Sequence, residues 1–322
     1  MEILSKFFTK EKKETKSDMH EYTAPNDNKP THKIFLYDRD FYIDELDSLN
    51  LKNCPIFEAD ETRLCHALIS KGDKCLDIGA NIGYYTVLFS RLVGPTGKVI
   101  AIEPDPSNFD ILVKNCTPEI TSEIVTVHKV ALGDENTQAA LFKSKDNHGM
   151  HRLYPSVCCS EESTNVKVVR GDDLLDRGVD FLKIDIEGYE LPALKGLENT
   201  ISNSENIKIL SEFSPLSISE AGFSAKALIN MLLDMGLAPL ELVNGFWRQL
   251  NPKDLLSAVE IADKIDINSL TENMRNQTNQ EIADAAAAAL INSGYPRPLL
   301  ENFLWLSPYN LGETVNKLKK EV

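Results

Sequence analysis

Several things are scarce in this chain of 322 residues. Its longest uninterrupted apolar run is Ala285–Ile291, far short of the roughly 18–20 residues that a bilayer-spanning helix needs, so no membrane span is expected. Basic residues are in deficit, with 34 Lys and Arg against 49 Asp and Glu and a net charge of −15. That balance opposes non-specific nucleic-acid binding, which depends on surplus cations to neutralise phosphates. Cysteines number six (Cys54, Cys65, Cys75, Cys116, Cys158 and Cys159) and form no Cys-x-x-Cys pair. This spacing is poor for a zinc site or a disulfide framework. Between Met1 and Lys16 nothing apolar exceeds Phe7-Phe8, so no secretory leader is expected, and the reading is a reduced, cytoplasmic protein.

Hydrophobic residues at 42% and charged ones at 26% give the composition of a globular chain. Residues 1–30 are polar, carry Pro25 and Pro30 and lack periodicity, which predicts a flexible arm. Residues 31–250 read as one α/β domain with an N-terminal cover. Asp60 is expected to cap a helix that Gly72 ends. Strands are predicted at Cys75–Ile78, Lys98–Ile102, Ile124–Leu132, Phe181–Ile186, Ile207–Phe213 and Leu237–Val243, with helices between them at Tyr85–Val93, Ser107–Cys116, Glu190–Ile201 and after Ser224. Such alternation implies a mostly parallel sheet with helices on both faces. Residues 251–300 read as helices alone, and residues 301–322 as a last strand, Asn302–Leu306, with a polar tail. An antiparallel pairing of the final two strands makes the helical block an insertion between them.

The turn Asp77-Ile78-Gly79-Ala80-Asn81-Ile82-Gly83 joins the first of these strands to its helix. Glycines let the backbone approach a ligand, and the amides of a helix N-terminus face whatever binds. Glu103 ends the next strand, about 20 residues further on, where a carboxylate suits both ribose hydroxyls of an adenosine. A dinucleotide site wants a middle glycine that is missing here, and Asp77 would repel a pyrophosphate yet attract an ammonium or sulfonium. The combination fits S-adenosyl-L-methionine; a nicotinamide-dependent oxidoreductase and a catalytically silent binding module are the alternatives.

Leu76 to Gly83, Leu182-Lys183-Ile184-Asp185-Ile186-Glu187-Gly188-Tyr189-Glu190 and Leu194-Lys195-Gly196 together resemble the FkbM-type family of class I S-adenosylmethionine-dependent methyltransferases. The resemblance spans about 60–213. It implies a Rossmann-like fold with a seven-stranded mostly parallel sheet, here with a C-terminal helical insertion, and methylation of hydroxyl oxygens of sugars or secondary metabolites. It further implies that Asp77 holds the methionine part, that Gly79, Ala80, Asn81 and Gly83 shape the pocket floor, that Glu103 takes the ribose, and that Asp105, Ala131 and Leu132 flank the adenine.

A hydroxyl acceptor must lose a proton, so a base is sought beyond the fourth strand. Asp185 and Glu187 are the first candidates, and Glu212 a neighbour able to contact substrate. Asn147-His148-Gly149-Met150-His151-Arg152 offers His151 as a second base and Arg152 as a clamp for an anionic acceptor. Asp185 and Glu212 could bind Mg²⁺, but with no third ligand at a telling spacing no metal is assigned. The expected partner is a small-molecule or glycan acceptor. The helical block is expected beside the cleft, at the acceptor pocket or a homodimer contact.

Overall fold

The computed structural model describes residues 31–307 apart from 177, 244–245, 273, 275–276 and 298–300, together with 311, 314 and 318. The N-terminal arm expected at 1–30 and most of the tail lie outside the described residues. A hairpin of β1 (His32–Leu36) and β2 (Arg39–Ile43) precedes α1 (Ala59–Leu68). Glu58, with φ of 43°, caps that helix, so Asp60 lies in its first turn and not at its cap. Then follow β3 (Lys74–Ile78), α2 (Tyr84–Val93), β4 (Lys98–Ile102), α3 (Pro106–Thr121) and β5 (Val125–His128). β6 (Ala131–Leu132), β7 (Thr137–Ser144) and β8 (Cys159–Val169) lead through α4 (Gly171–Leu174) to β9 (Phe181–Ile184). The remainder runs α5 (Glu190–Lys195), α6 (Glu198–Ser202), β10 (Lys208–Phe213), α7 (Pro215–Glu220), α8 (Ala225–Asp234), β11 (Ala238–Val243), β12 (Phe246–Gln249), α9 (Pro252–Ala262), α10 (Ile267–Thr271), α11 (Asn279–Asn292) and β13 (Glu301–Leu306).

The main sheet has the order β12-β11-β13-β10-β9-β3-β4-β5. β10, β9, β3, β4 and β5 pair in parallel, while β13 runs antiparallel between β10 and β11. The insertion α9–α11 thus lies between two antiparallel neighbours, as expected. Seven strands follow the expected pattern; the eighth, β12, is a hairpin extension of β11 at the sheet edge. The third predicted strand is broken. β5 stays in the main sheet, whereas Ala131 and Leu132 leave it to pair with Val168 and Val169 of β8 in a separate three-stranded sheet.

Alternation along the central strands sorts the core into two layers. Cys75 and Phe181 face α1, α2 and α3, and Leu76, Ile78, Leu182 and Ile184 face α5, α8 and α9. These residues are almost fully buried, and apolar residues predominate on both faces of β3, β4 and β9, as burial on both faces demands. Two polar residues interrupt the first layer, Asp77 and Lys183, and they stand opposite one another in the β3–β9 register. Among the described residues no helix is long and apolar enough to cross a membrane.

Candidate active site

The β3–α2 turn is held by contacts that tolerate little else. Gly79 has φ of 82°, and a Cβ there would lie 2.0 Å from the carbonyl oxygen of Asp185. Asn81 adopts a left-handed φ of 50°, and the amides of Gly79 and Ala80 both donate to Ile102 O. This brings the turn over the ends of β4 and β9, where a cavity of about 200 Å³ opens. Gly79, Ala80, Asn81, Glu103, Ala131, Leu132, His151, Asp185, Glu187 and Glu212 line it, as the sequence places them.

Four expected residues sit elsewhere. Asp77 lies beneath the turn and does not line the cavity. Its Oδ2 accepts from Thr86 Oγ1 at 2.6 Å, and its buried Oδ1 has no partner. Burial pushes its carboxyl up to about 6, with Lys183 and Thr86 opposing. Gly83 is the N-cap of α2 and packs on Leu112. Asp105 does not face the cavity either. Its Oδ1 caps α3 by accepting from the amides of Ser107 and Asn108, and Oδ2 pairs with Lys143. Asn108 takes its place on the wall and donates to His148 O at 2.7 Å. Arg152 lines a second cavity of about 100 Å³ instead. Its guanidinium is spent on Glu187 Oε2 (3.1 Å), Glu220 Oε2 (3.0 Å) and Ser156 Oγ (2.7 Å), so it has no free charge for an anionic acceptor.

His151 reaches the cavity in the wrong protonation state for a base. Its Nδ1 accepts the Ser144 amide at 3.0 Å, which leaves the ring proton on Nε2 and no lone pair there to take another. Burial, with Lys143 and His148 adding to it, pushes the imidazole down to about 3, so the ring is neutral and a donor.

Carboxylates dominate what remains. One oxygen each from Asp185, Glu187 and Glu212 lies within 4.8 Å of the others. Glu187 is the third group that sequence spacing did not supply, and a left-handed φ of 58° beside Gly188 turns it inward. A Cβ at Gly188 would lie 2.5 Å from Ser217 O, so the turn needs glycine there. Burial raises the Glu187 carboxyl against the pull of Arg152. Burial also raises Glu212, and there the neighbouring carboxylates Asp185, Glu187 and Glu190 add to it. An oxygen-only set of this kind can share a proton or hold a divalent ion such as Mg²⁺.

Two residues went unassigned at the level of sequence. Lys183, 5% exposed, donates to Asp185 Oδ2 at 2.8 Å and lies 4.7 Å from the centre of the Tyr85 ring. Burial works against its charge, but Asp185, Glu58 and Asp77 outweigh it and raise its pKa. The signal was present: a lysine inside a buried four-residue strand, two before Asp185 and therefore on its face. Glu58, from the loop before α1, accepts from Tyr85 Oη at 2.7 Å and is pushed up to about 6 by burial. Glu103 accepts the amides of Asn81 and Asp105, both at 2.8 Å, and burial drives it up to about 8 against Asn81 and Lys143.

Comparison with known proteins shows the family. Residues 77–237, half of the chain, match the methyltransferase FkbM domain. The hexuronic acid methyltransferase AglP of Haloferax volcanii is 28% identical over 152 residues, covering 45% of this chain and 59% of that protein. Methyltransferase 1 of Beauveria bassiana is 28% identical over 151 residues, 38% of this chain and 58% of its own length. The chain thus spans about six-tenths of the curated relatives it matches. A solved methyltransferase FkbM from Methylobacillus flagellatus is 22% identical, with a TM-score of 0.39 over 57% of this chain and 46% of that one. By its matched domain, this chain belongs to the methyltransferase FkbM family.

Proposed function

We propose that the protein is an S-adenosylmethionine-dependent methyltransferase that methylates a hydroxyl oxygen of a sugar or secondary metabolite. The observation that carries this is the charge of the first cavity. Among its described lining residues, two imidazoles apart, five carboxylates (Glu58, Glu103, Asp185, Glu187 and Glu212) accompany one ammonium, Lys183. Such a set suits a cationic nucleoside and opposes a polyphosphate. Glu103 and the backbone of Gly79 to Asn81 would hold the adenosyl part, and Glu58 and Asp185 the ammonium. When bound, S-adenosylmethionine supplies an electrophilic methyl group on a sulfonium.

The chain's own residues orient the acceptor and take its proton. Lys183 fixes Asp185 through the 2.8 Å bond. Arg152 fixes Glu187. Glu212, whose carboxyl is raised by burial and by the neighbouring carboxylates, completes a cluster able to receive a hydroxyl proton, as general-base catalysis requires. His151 Nε2–H is a donor on the cavity wall, 3.9 Å from Asp105 Oδ2.

Calorimetry with S-adenosylmethionine and with NADH tests the reading, together with transfer of a labelled methyl group to a panel of glycosides. Binding of the sulfonium compound alone, weakened by Glu103→Ala, is the expected result. Affinity for NADH and none for S-adenosylmethionine would overturn it.

A further inference from the structure

Apart from Arg152 and Glu187, the second cavity is lined by residues that methyl transfer leaves idle. It lies between α7, the Arg152–Cys158 loop and the insertion helices α10 and α11. Met150 and Glu187 line both cavities, so the two meet at the carboxylate cluster. Its walls are largely apolar, with Leu216, Ile267, Ile282 and Ala286 contributing. Ala286, with Ala283 beside it, keeps the volume open, because a larger side chain on that face of α11 would fill it.

Two polar atoms on its lining residues are buried without partners. Arg152 Nε is a donor on a side chain only 6% exposed, and Asn279 Oδ1 is an acceptor. Both atoms are closed off from solvent, so an occupant of the cavity meets its apolar walls and not these two groups. Charge restricts the occupant further. Arg152 is the sole basic residue among the described lining residues and is already paired with Glu187 and Glu220, so an anion would face an excess of carboxylate.

We propose that this cavity is the subsite for a short, uncharged aliphatic branch of the methyl acceptor, which packs on Leu216, Ile267, Ile282 and Ala286. The reacting hydroxyl then lies at the Met150–Glu187 boundary; that placement rests on the methyltransferase reading, but the cavity's preference for a neutral apolar group does not. An apolar cavity of about 150 Å³ holds benzene, so one of this size takes roughly four or five carbons.

The probe is 3-methylbutan-1-ol, titrated into protein labelled with ¹³C at the methionine methyls, with the Met150 resonance assigned from Met150→Leu. The alcohol is expected to shift Met150, Ala286→Phe to weaken its binding at least tenfold, and the isosteric 3-methylbutanoate to bind at least tenfold more weakly. Ala283→Leu is a milder filling variant should Ala286→Phe unfold, and unchanged S-adenosylhomocysteine affinity certifies that a variant is folded. No shift with the alcohol, equal binding of the carboxylate, or undiminished binding in a folded filling variant overturns the subsite. If S-adenosylhomocysteine fails to bind the unaltered protein, the methyltransferase reading falls while the alcohol titration still decides the subsite.

Discussion

Lys183 sets the charge state of its surroundings at the scale of a single side chain. It stands opposite Asp77 in the register and bonds to Asp185, in a layer otherwise apolar. Removing one member of a buried ionic group leaves its partners uncompensated, at a cost of about 3–5 kcal/mol. Lys183→Met is therefore expected to destabilise the protein by about that much at pH 7.5, read from urea denaturation. The sign of the pH dependence follows from Asp77 and Glu58, both at about 6 when folded and thus above the unfolded carboxylate range. Ionising such a group costs the folded state, so stability recovers as pH falls through 6 towards 4. The variant's deficit should shrink at pH 5, and a pH-independent deficit would show that Lys183 acts by packing alone. Glu212 belongs to the same scale. Glu212→Gln keeps the shape but removes the proton acceptor, so kcat should fall by about 10²–10⁴ while the affinity for S-adenosylmethionine changes little. A fall in affinity with kcat preserved would place Glu212 in binding and not in proton transfer.

Among elements, the β3–α2 turn is the most exacting. Gly79→Ala would put a methyl group against the Asp185 carbonyl at a φ that disfavours side chains. The backbone of β3 or β9 must then move, and we expect a loss of roughly 2–4 kcal/mol on thermal denaturation, with the S-adenosylmethionine site impaired in parallel. That turn was legible in the sequence because its signals are local: an apolar strand, spaced glycines, then residues at helical spacing. So were most helices and the insertion between the last two sheet neighbours. What stayed hidden depends on partners distant in the chain. Nothing local marks Ala131 and Leu132 as leaving the main sheet for β8, whereas the hairpin that β12 closes on β11 has a local signal in Asn244-Gly245 that went unassigned at the level of sequence. Asp105 was read as a ligand contact from the family resemblance, and Asp77 from that resemblance and from its charge before the glycine turn. Helix capping claims the first, and a cross-strand lysine with a helix hydroxyl claims the second. His151 was correctly brought to the cavity, but its role depends on which nitrogen accepts the Ser144 amide, and only the fold supplies that bond.

Over the whole molecule, a net charge of −15 converges on a cavity whose buried carboxyls resist ionisation, Glu58 at about 6 and Glu103 at about 8. Burial holds these carboxyls protonated, and a cation bound nearby offsets the cost of ionising them, so binding of the donor and release of protons are linked. S-adenosylmethionine carries a sulfonium that S-adenosylhomocysteine lacks. As pH rises through 6 to 8 these carboxyls ionise in the unliganded protein, and each added charge favours the sulfonium. At roughly 8 Å and an effective dielectric near 20, one such charge contributes about 2 kcal/mol. The ratio of the two affinities should therefore climb by about tenfold or more between pH 5.5 and 8.5. Calorimetry in buffers of differing ionisation enthalpy should find more protons released by S-adenosylmethionine than by its demethylated product near pH 7. On the proposed function the same asymmetry would assist turnover, because transfer of the methyl group removes the charge that the cavity would hold. An affinity ratio flat across that range would mean that the carboxyls are neutralised from within the protein, by shared protons or a resident cation, and do not select the donor by its charge.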